Sequence, residues 1–142
     1  MALSEERLET IRANAELVIR ELAHASGRTL GFDAASVAYV EEFIERQRVE
    51  VPETARGLVG VIGCYLGEAI IEAVPGADWS EDENGALIVL FANGDAAYPF
   101  HKVEKQIAEG LDAGESILSF YNVSRNYVAT GKLGEAAGEE AP

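Results

Sequence analysis

The sequence predicts an α+β fold, with about five helices packed around a central glycine-rich helix (52–74) and a small antiparallel β-hairpin (86–98). Apolar residues recur every three or four positions along most of the chain, which is the period of an amphipathic helix. The stretch from Gly57 to Ala73 has apolar residues on both sides of the helical wheel and only two charged residues, Glu68 and Glu72, as expected of a helix buried inside a domain. A later apolar run ends near Asn93-Gly94, a pair that favours a tight hairpin turn.

The first helix is predicted from Ser4 to about His24. Ser4 can accept a hydrogen bond from a free amide of the first turn, and Glu5 and Glu6 lie at the positive end of the helix dipole. One apolar stripe is expected to face the core, formed by Leu8, Ile11, Ala15, Val18 and Leu22. A short coiled coil with a partner chain is the alternative.

The second helix is predicted from its N-cap, Asp33, to about Gln47. Its inner stripe is expected to comprise Val37, Val40 and Ile44. Three acids are expected to form a solvated outer face, or alternatively a docking surface for a basic partner: Glu41, Glu42 and Glu45.

The central helix is predicted to begin at Pro52 and to stop at Pro75-Gly76. Its interior glycines, at positions 60, 63 and 67, share one side, and each costs about 1 kcal/mol relative to alanine. We therefore expect another element to approach this side closely. The uncharged run between Arg56 and Glu68 is too short to span a bilayer.

An acidic loop containing the single tryptophan, Trp79, is predicted over 77–85. A strand over 86–91 and a return strand over 95–98 follow it. Two strands alone are marginally stable. The hairpin is therefore expected to pack on the central helix or to pair with a further strand, for which Arg28 to Phe32 is the candidate.

A fourth helix is predicted from His101 to Leu111, and a fifth begins at a capping box formed by Asp112 and Glu115. Its apolar contacts are assigned to Ile117, Phe120, Tyr121 and Val128. Residues 131–142 are small and acidic and are predicted to be a disordered tail. A single globular domain is expected over 1–130.

The charge is strongly negative, with a formal net charge of −14 at pH 7. Such a chain is not expected to contact nucleic acid or anionic membranes directly, because both require lysine and arginine at the interface. One cysteine excludes an internal disulfide and a four-cysteine metal site. The first residues lack the basic and apolar regions of a secretion signal, so we expect a cytoplasmic protein.

No motif with catalytic or metal-ligand spacing is found, and no cofactor is expected. Residues from Ser80 onward match the first half of an EF-hand loop, but Phe91 occupies the position of the bidentate glutamate. Cys64 lies between glycines of a predicted buried helix, where a small core residue is the simpler interpretation than a nucleophile. His24 and His101 lie on separate predicted helices.

Glu68 is the acid of greatest interest, because it lies beside the glycine side of the central helix. A partly buried carboxylate must pair, accept a hydrogen bond or shift its pKa. Arg56 and Lys102 are the candidate ion-pair partners. An internal structural bond is the simpler interpretation, and a ligand-binding or catalytic carboxylate is the alternative.

Several short sequences occur in a characteristic order: Leu66-Gly67-Glu68, then Trp79, Asn93-Gly94, the run 98–104 and the run 116–121. In this order the chain resembles small uncharacterised bacterial α+β proteins. Some of these resemble toxin-immunity or inhibitor proteins in size and acidity. The likeness covers Gly57 to Tyr121 and implies no catalytic residue.

The leading functional hypothesis is a non-enzymatic acidic binding protein, of an inhibitor or immunity type, that engages a basic protein partner. The alternative is a small-molecule-binding domain or enzyme with a pocket between the central helix and the hairpin, lined by Glu68, Trp79, Tyr98 and His101. Homo-oligomerisation through the first helix or the glycine side is a third hypothesis.

Overall fold

The computed structural model describes residues 3–130, with side chains through Asn126. The helices are α1 (Glu5–Ser26), α2 (Ala34–Glu50), α3 (Pro52–Ala55), α4 (Val59–Ala73), α5 (Pro99–Glu109) and α6 (Ile117–Thr130). The strands are β1 (Asp78–Glu81), β2 (Leu87–Leu90) and β3 (Ala96–Ala97). This architecture confirms the predicted α+β class. The predicted disordered tail over 131–142 and the predicted contact of Val128 lie outside the described residues and side chains.

Helix α4 lies at the centre of the fold, where it contacts α1, α5, α6 and the sheet. Every residue from Ile62 to Gly67 is buried, as the apolar circumference of this segment predicts. A 3-10 turn at Arg56–Leu58 joins the short α3 to α4. The central helix is therefore present over the predicted range, with one irregular turn near its start.

The helical stretch Pro52–Ala73 is long and apolar enough to cross a membrane, judged by length and composition alone. Half of its most apolar window is buried inside the fold. Because the core helix of a globular protein meets the same criterion, this stretch is weak evidence for a membrane span.

Helix α1 lies along α4 and buries Ile11, Ala15, Val18 and Leu22. Ser4 is its N-cap and accepts a hydrogen bond from the amide of Arg7 at 3.2 Å. The helix ends at Gly27, whose φ of 71° is a left-handed value that glycine adopts without strain. The predicted start of α1 is confirmed, and so is its inner stripe, except that Leu8 is only partly buried.

The sheet is antiparallel, with the strand order β1-β2-β3. Trp79 pairs with Val89, and Val89 pairs with Ala97 on its other side. The predicted turn between β2 and β3 is confirmed, with Gly94 at a φ of 98°. The prediction of an acidic loop over 77–85 is wrong for its first half. The acids Asp78 and Glu81 flank two buried residues and obscure the strand pattern of β1.

The prediction of a strand from Arg28 to Phe32 is wrong, because this segment connects α1 and α2 without pairing to the sheet. It is held by Tyr65 of α4 instead. The Tyr65 hydroxyl donates a hydrogen bond to the carbonyl oxygen of Gly31 at 2.8 Å. The ring of Phe32 stacks on the Tyr65 ring with a centroid distance of 5.4 Å.

The predicted inner stripe of α2 is buried, but the prediction of a solvated outer face is wrong for Glu41 and Glu45. Glu41 is only 8% exposed. Its carboxylate accepts hydrogen bonds from the Ser116 hydroxyl at 2.5 Å and from the Leu118 amide at 3.1 Å. It therefore binds free donors at the start of α6, where the helix dipole favours a negative charge.

Glu45 joins α2 to the end of α5. Its carboxylate accepts a hydrogen bond from the side-chain amide of Gln106 at 2.9 Å and another from the Leu111 amide at 3.2 Å. Gln106 is fully buried, and its carbonyl oxygen accepts a hydrogen bond from the Ile117 amide at 2.7 Å. Of the three acids assigned to the outer face, Glu42 alone is exposed.

The predicted capping box at Asp112 and Glu115 is also wrong. A 3-10 turn occupies Leu111–Ala113, and α6 begins at Ile117. The hydroxyl of Ser116 accepts a hydrogen bond from the Ser119 amide at 3.0 Å, which makes Ser116 the N-cap. Glu115 instead forms an ion pair with Lys102 at 2.9 Å.

Candidate functional site

Glu68 and Trp79 bind each other. Glu68 of α4 is half-buried, and the indole nitrogen of Trp79 donates a hydrogen bond to its carboxylate at 2.7 Å. Trp79 is 4% exposed, so its N–H needs a partner inside the fold. The candidate site acid is thus engaged in joining the central helix to the sheet.

Two glycines of α4 pack against aromatic rings. A Cβ atom at Gly67 would lie within 3.0 Å of three ring atoms of Trp79, and a Cβ atom at Gly63 within 2.8 Å of three ring atoms of Phe100. The two rings contact each other with a centroid distance of 6.0 Å. The predicted close approach is therefore confirmed at these positions. Gly60 is exposed and would meet no atom within 4 Å.

Tyr98 and His101 line one cleft, which we call the hairpin cleft. It has a volume of about 310 Å³ and is lined by Arg7, Ala86, Leu87, Tyr98, Phe100 and His101. Phe100 separates its interior from Trp79 and Glu68, which do not line it. The structure therefore brings together two of the four predicted site residues and places the other two in a bonded pair behind them.

His101 also borders a second cleft, which we call the α5 cleft. Its volume is about 500 Å³, and it lies between the start of the central helix and α5. The lining residues are Arg56, Val59, His101, Glu104, Lys105, Ile107, Ala108 and Glu109. The imidazole Nδ1 of His101 is 4.0 Å from a carboxylate oxygen of Glu104.

A third cleft, of about 380 Å³, lies beside the end of α4 and is lined by Phe32, Asp33, Glu72, Ala73 and Tyr121. Burial raises the pKa of Tyr65, and the nearby negative charge of Asp33 acts in the same direction. The Asp33 carboxylate accepts a hydrogen bond from the Ser36 amide at 2.9 Å. The Ser36 side chain, and after it the Ser36 amide, lower the pKa of Asp33. Asp33 is therefore a helix cap, as predicted.

Neither predicted ion-pair partner of Glu68 contacts it. Lys102 binds Glu115, and this hydrogen bond lowers the pKa of the Glu115 carboxyl. Arg56 lies in the α5 cleft. The prediction of these two partners is therefore wrong. The Glu68 carboxylate accepts a hydrogen bond from the indole nitrogen of Trp79 instead.

Cys64 is a buried free thiol, as the sequence predicts. The side-chain amide of Asn14 donates a long hydrogen bond to the Cys64 sulfur, at 3.9 Å. Burial raises the pKa of the Cys64 thiol, and the negative charge of Glu68 acts in the same direction. The thiol is consequently neutral at physiological pH, which does not favour nucleophilic chemistry.

Within residues 3–130 there is no group of three or more histidine, cysteine, aspartate or glutamate side chains placed to hold a metal ion. In the segment that resembles part of an EF-hand loop, one oxygen of Asp82 accepts hydrogen bonds from the amides of Asn84 and Ala86, each at 2.9 Å. That oxygen therefore stabilises the β1–β2 turn.

A family model matches residues 2–111, which include α1 to α5 and the whole sheet. The chain belongs to DUF6278, a family of unknown function. Searches of curated proteins and of solved structures found no significant match. The matched region of this DUF6278 protein contains all four predicted site residues. It also contains every lining residue of the hairpin cleft and the α5 cleft.

Sequence reasoning missed Phe100 and Lys105 as lining residues. Phe100 follows the first helical residue, Pro99, and points toward α4. The spacing of Gly63 and Gly67, about one helical turn, was a signal that two bulky side chains lie against this face. Nothing in the local sequence of Lys105 indicated that Arg56 lies across a cleft from α5.

Proposed function

We propose that this protein is a non-enzymatic binding protein whose acidic surface engages a basic region of a partner protein. The observation that carries the proposal is the distribution of charge along the chain. Between Gly57 and His101 there are seven carboxylates and no lysine or arginine. These residues form α4 and all three strands, so one part of the fold supplies only negative side-chain charge.

Not all of these carboxylates are available to a partner. Glu68 binds Trp79, and Glu81 pairs with Arg7 of α1. Glu72 and Glu83 are exposed and have no ion pair with any described residue. Exposed charges of one sign accelerate association with an oppositely charged partner and contribute mainly to rate and specificity.

The experiment compares two double variants with the same change in net charge. Glu72→Gln with Glu83→Gln removes two of the three exposed acids of the base-free region and leaves Asp78, whose carboxylate accepts a hydrogen bond from the Trp79 amide. Glu9→Gln with Glu16→Gln, at exposed positions of α1, is the matched control. A partner captured from cell lysate would be purified, and its association rate with each protein measured at low and high salt.

We expect the first double variant to slow association more than the control, with the difference reduced at high salt because salt screens exposed charges over about 8–10 Å. Equal association rates for the two double variants would contradict the proposal. So would a partner that binds independently of salt.

Small-molecule binding in the hairpin cleft is the second candidate, supported by the placement of Tyr98 and His101 on one concave surface. Trp79 lies 6.0 Å from Phe100 of that surface, so its fluorescence should report an occupied cleft. Aromatic fragments that bind there should lose affinity in Tyr98→Ala but not in Leu90→Ala, a change at another exposed apolar residue outside the cleft. Fragments that perturb both variants equally would remove this candidate.

A further inference from the structure

The α5 cleft is lined by two basic side chains, Arg56 and Lys105, that have no ion-pair partner among the described residues. The chain has 11 lysines and arginines against 25 aspartates and glutamates, so most basic residues are expected to have acidic neighbours. In the described part of the chain, four of the ten lysines and arginines form an ion pair with an acid. Arg7 pairs with Glu81, and Lys102 pairs with Glu115. Arg48 donates to the carbonyl oxygen of Ile107 at 3.2 Å.

Arg56 and Lys105 differ from these residues. Neither side chain forms a hydrogen bond or an ion pair with any residue that the structure describes, although the charge of Lys105 helps to lower the pKa of the Glu115 carboxyl. Both nevertheless line the same cleft, Arg56 from the turn before α4 and Lys105 from α5. Two cations that line one concavity and have no ion-pair partner can donate the charge-assisted hydrogen bonds that an anion requires.

The apolar part of the cleft is formed by Val59, Ile107 and Ala108. Its volume of about 500 Å³ is within the range of small-molecule sites. The ligand is therefore expected to carry an apolar group as well as a negative charge.

Two acids also line the cleft, Glu104 and Glu109, and both are exposed. Together they offset the positive charges of Arg56 and Lys105. A polyanion such as a nucleotide would be repelled by these carboxylates, whereas a single negative charge placed between the two basic side chains would not. A lining in which two acids offset two bases therefore favours a monoanion over a polyanion.

We propose that the α5 cleft binds a small organic monoanion, a carboxylate attached to an apolar group. Arg56 and Lys105 bind the carboxylate, and Val59, Ile107 and Ala108 contact the apolar part. The lining of this site does not include Glu72 or Glu83, the exposed acids tested for the proposed function, and the site does not depend on that function.

The test is a titration of the ¹⁵N-labelled protein with phenylacetate, followed by amide NMR, with the uncharged phenylacetamide as the matched probe. We expect phenylacetate to shift the amide signals of residues 56–60 and 101–109, and phenylacetamide to bind at least tenfold more weakly because it lacks the charge. Absence of shifts at these residues at millimolar phenylacetate would overturn the proposal. Equal binding of the two probes would overturn it as well.

Charge variants locate the contact. Arg56→Gln and Lys105→Gln should each weaken phenylacetate binding by about tenfold, the usual effect of losing one charge-assisted hydrogen bond. Arg12→Gln is the control, because Arg12 is an exposed basic residue of α1 outside the cleft. If all three variants weaken binding equally, the effect is general electrostatics and the site is refuted.

A steric variant tests the cleft without changing charge. Ala108→Leu places a larger side chain in the cleft from an exposed helix position, so it should reduce phenylacetate affinity while the fold is retained. Ala13→Leu, at an exposed position of α1, should leave affinity unchanged. Undiminished binding to Ala108→Leu would show that the ligand does not occupy the cleft.

Discussion

Alanine substitutions at the glycines of α4 should separate two contributions to stability, the intrinsic helix propensity and the packing of aromatic rings against the helix. Gly60 and Gly67 lie in the same helix. A Cβ atom at Gly60 would meet no atom within 4 Å, whereas one at Gly67 would overlap the ring of Trp79. Gly60→Ala and Gly67→Ala are therefore a matched pair that differs mainly in what the new methyl group contacts.

Gly60→Ala should raise the free energy of unfolding by about 0.5–1 kcal/mol, the propensity difference between the two residues. Gly67→Ala has the same favourable term but overpacks the interface with β1, which costs about 1–3 kcal/mol. Trp79 cannot move aside cheaply, because it is buried and its indole nitrogen binds Glu68. Displacing the ring would also lose that hydrogen bond to a charged group, worth about 1.5–3 kcal/mol.

Because the propensity term cancels, we expect Gly67→Ala to be less stable than Gly60→Ala by about 1–3 kcal/mol, and by more where the indole hydrogen bond is also lost. Urea unfolding followed by far-ultraviolet circular dichroism would measure both variants without depending on the environment of Trp79. Equal stability of the two variants would refute the conclusion that Gly67 is required by the aromatic ring. A gain in stability at both positions would refute it as well.

Three further predictions concern individual side chains. Glu41→Ala should lower the free energy of unfolding by about 1–3 kcal/mol, because it leaves donors at the start of α6 without an acceptor, whereas the exposed neighbouring change Glu42→Ala should alter it by less than about 0.5 kcal/mol. Lys102→Gln should raise the pKa of Glu115, measured by side-chain carboxyl NMR. Since the folded pKa of Glu115 is depressed, the stability it contributes is present at neutral pH and is lost as pH falls through that pKa, so the two proteins should differ least in acid. Iodoacetamide should modify Cys64 slowly in the folded protein and rapidly in urea, and fast labelling of the folded protein would contradict its burial.

The helices and the β2–β3 turn could be predicted because their signals are local. Ser4 and Asp33 act as N-caps through bonds to residues three positions away, and Gly94 supplies the positive φ of its own turn. The buried stripe of α1 follows from spacing along one helix. Each of these features depends on neighbours within a few residues, so the sequence pattern contains the information.

Part of the candidate site was predictable for the same reason. Tyr98 and His101 are close in sequence at the start of α5, and they share the hairpin cleft. Glu68 was correctly placed beside the glycine side of α4, but its partner was not identified. An acid on a helix surface has many possible donors, and the choice of Trp79 depends on how β1 packs against α4.

The sequence by itself determined that this chain forms a mainly helical α+β fold around an apolar, glycine-containing helix. The tertiary structure decided which acids are internal and which face solvent. Glu41 has the local pattern of a surface residue, yet its hydrogen-bond donor Ser116 lies 75 positions away. The same applies to β1, an acidic segment that forms a strand because it pairs with β2. Long-range partners offset the cost of burying a carboxylate, and no pattern within one element can show where they are.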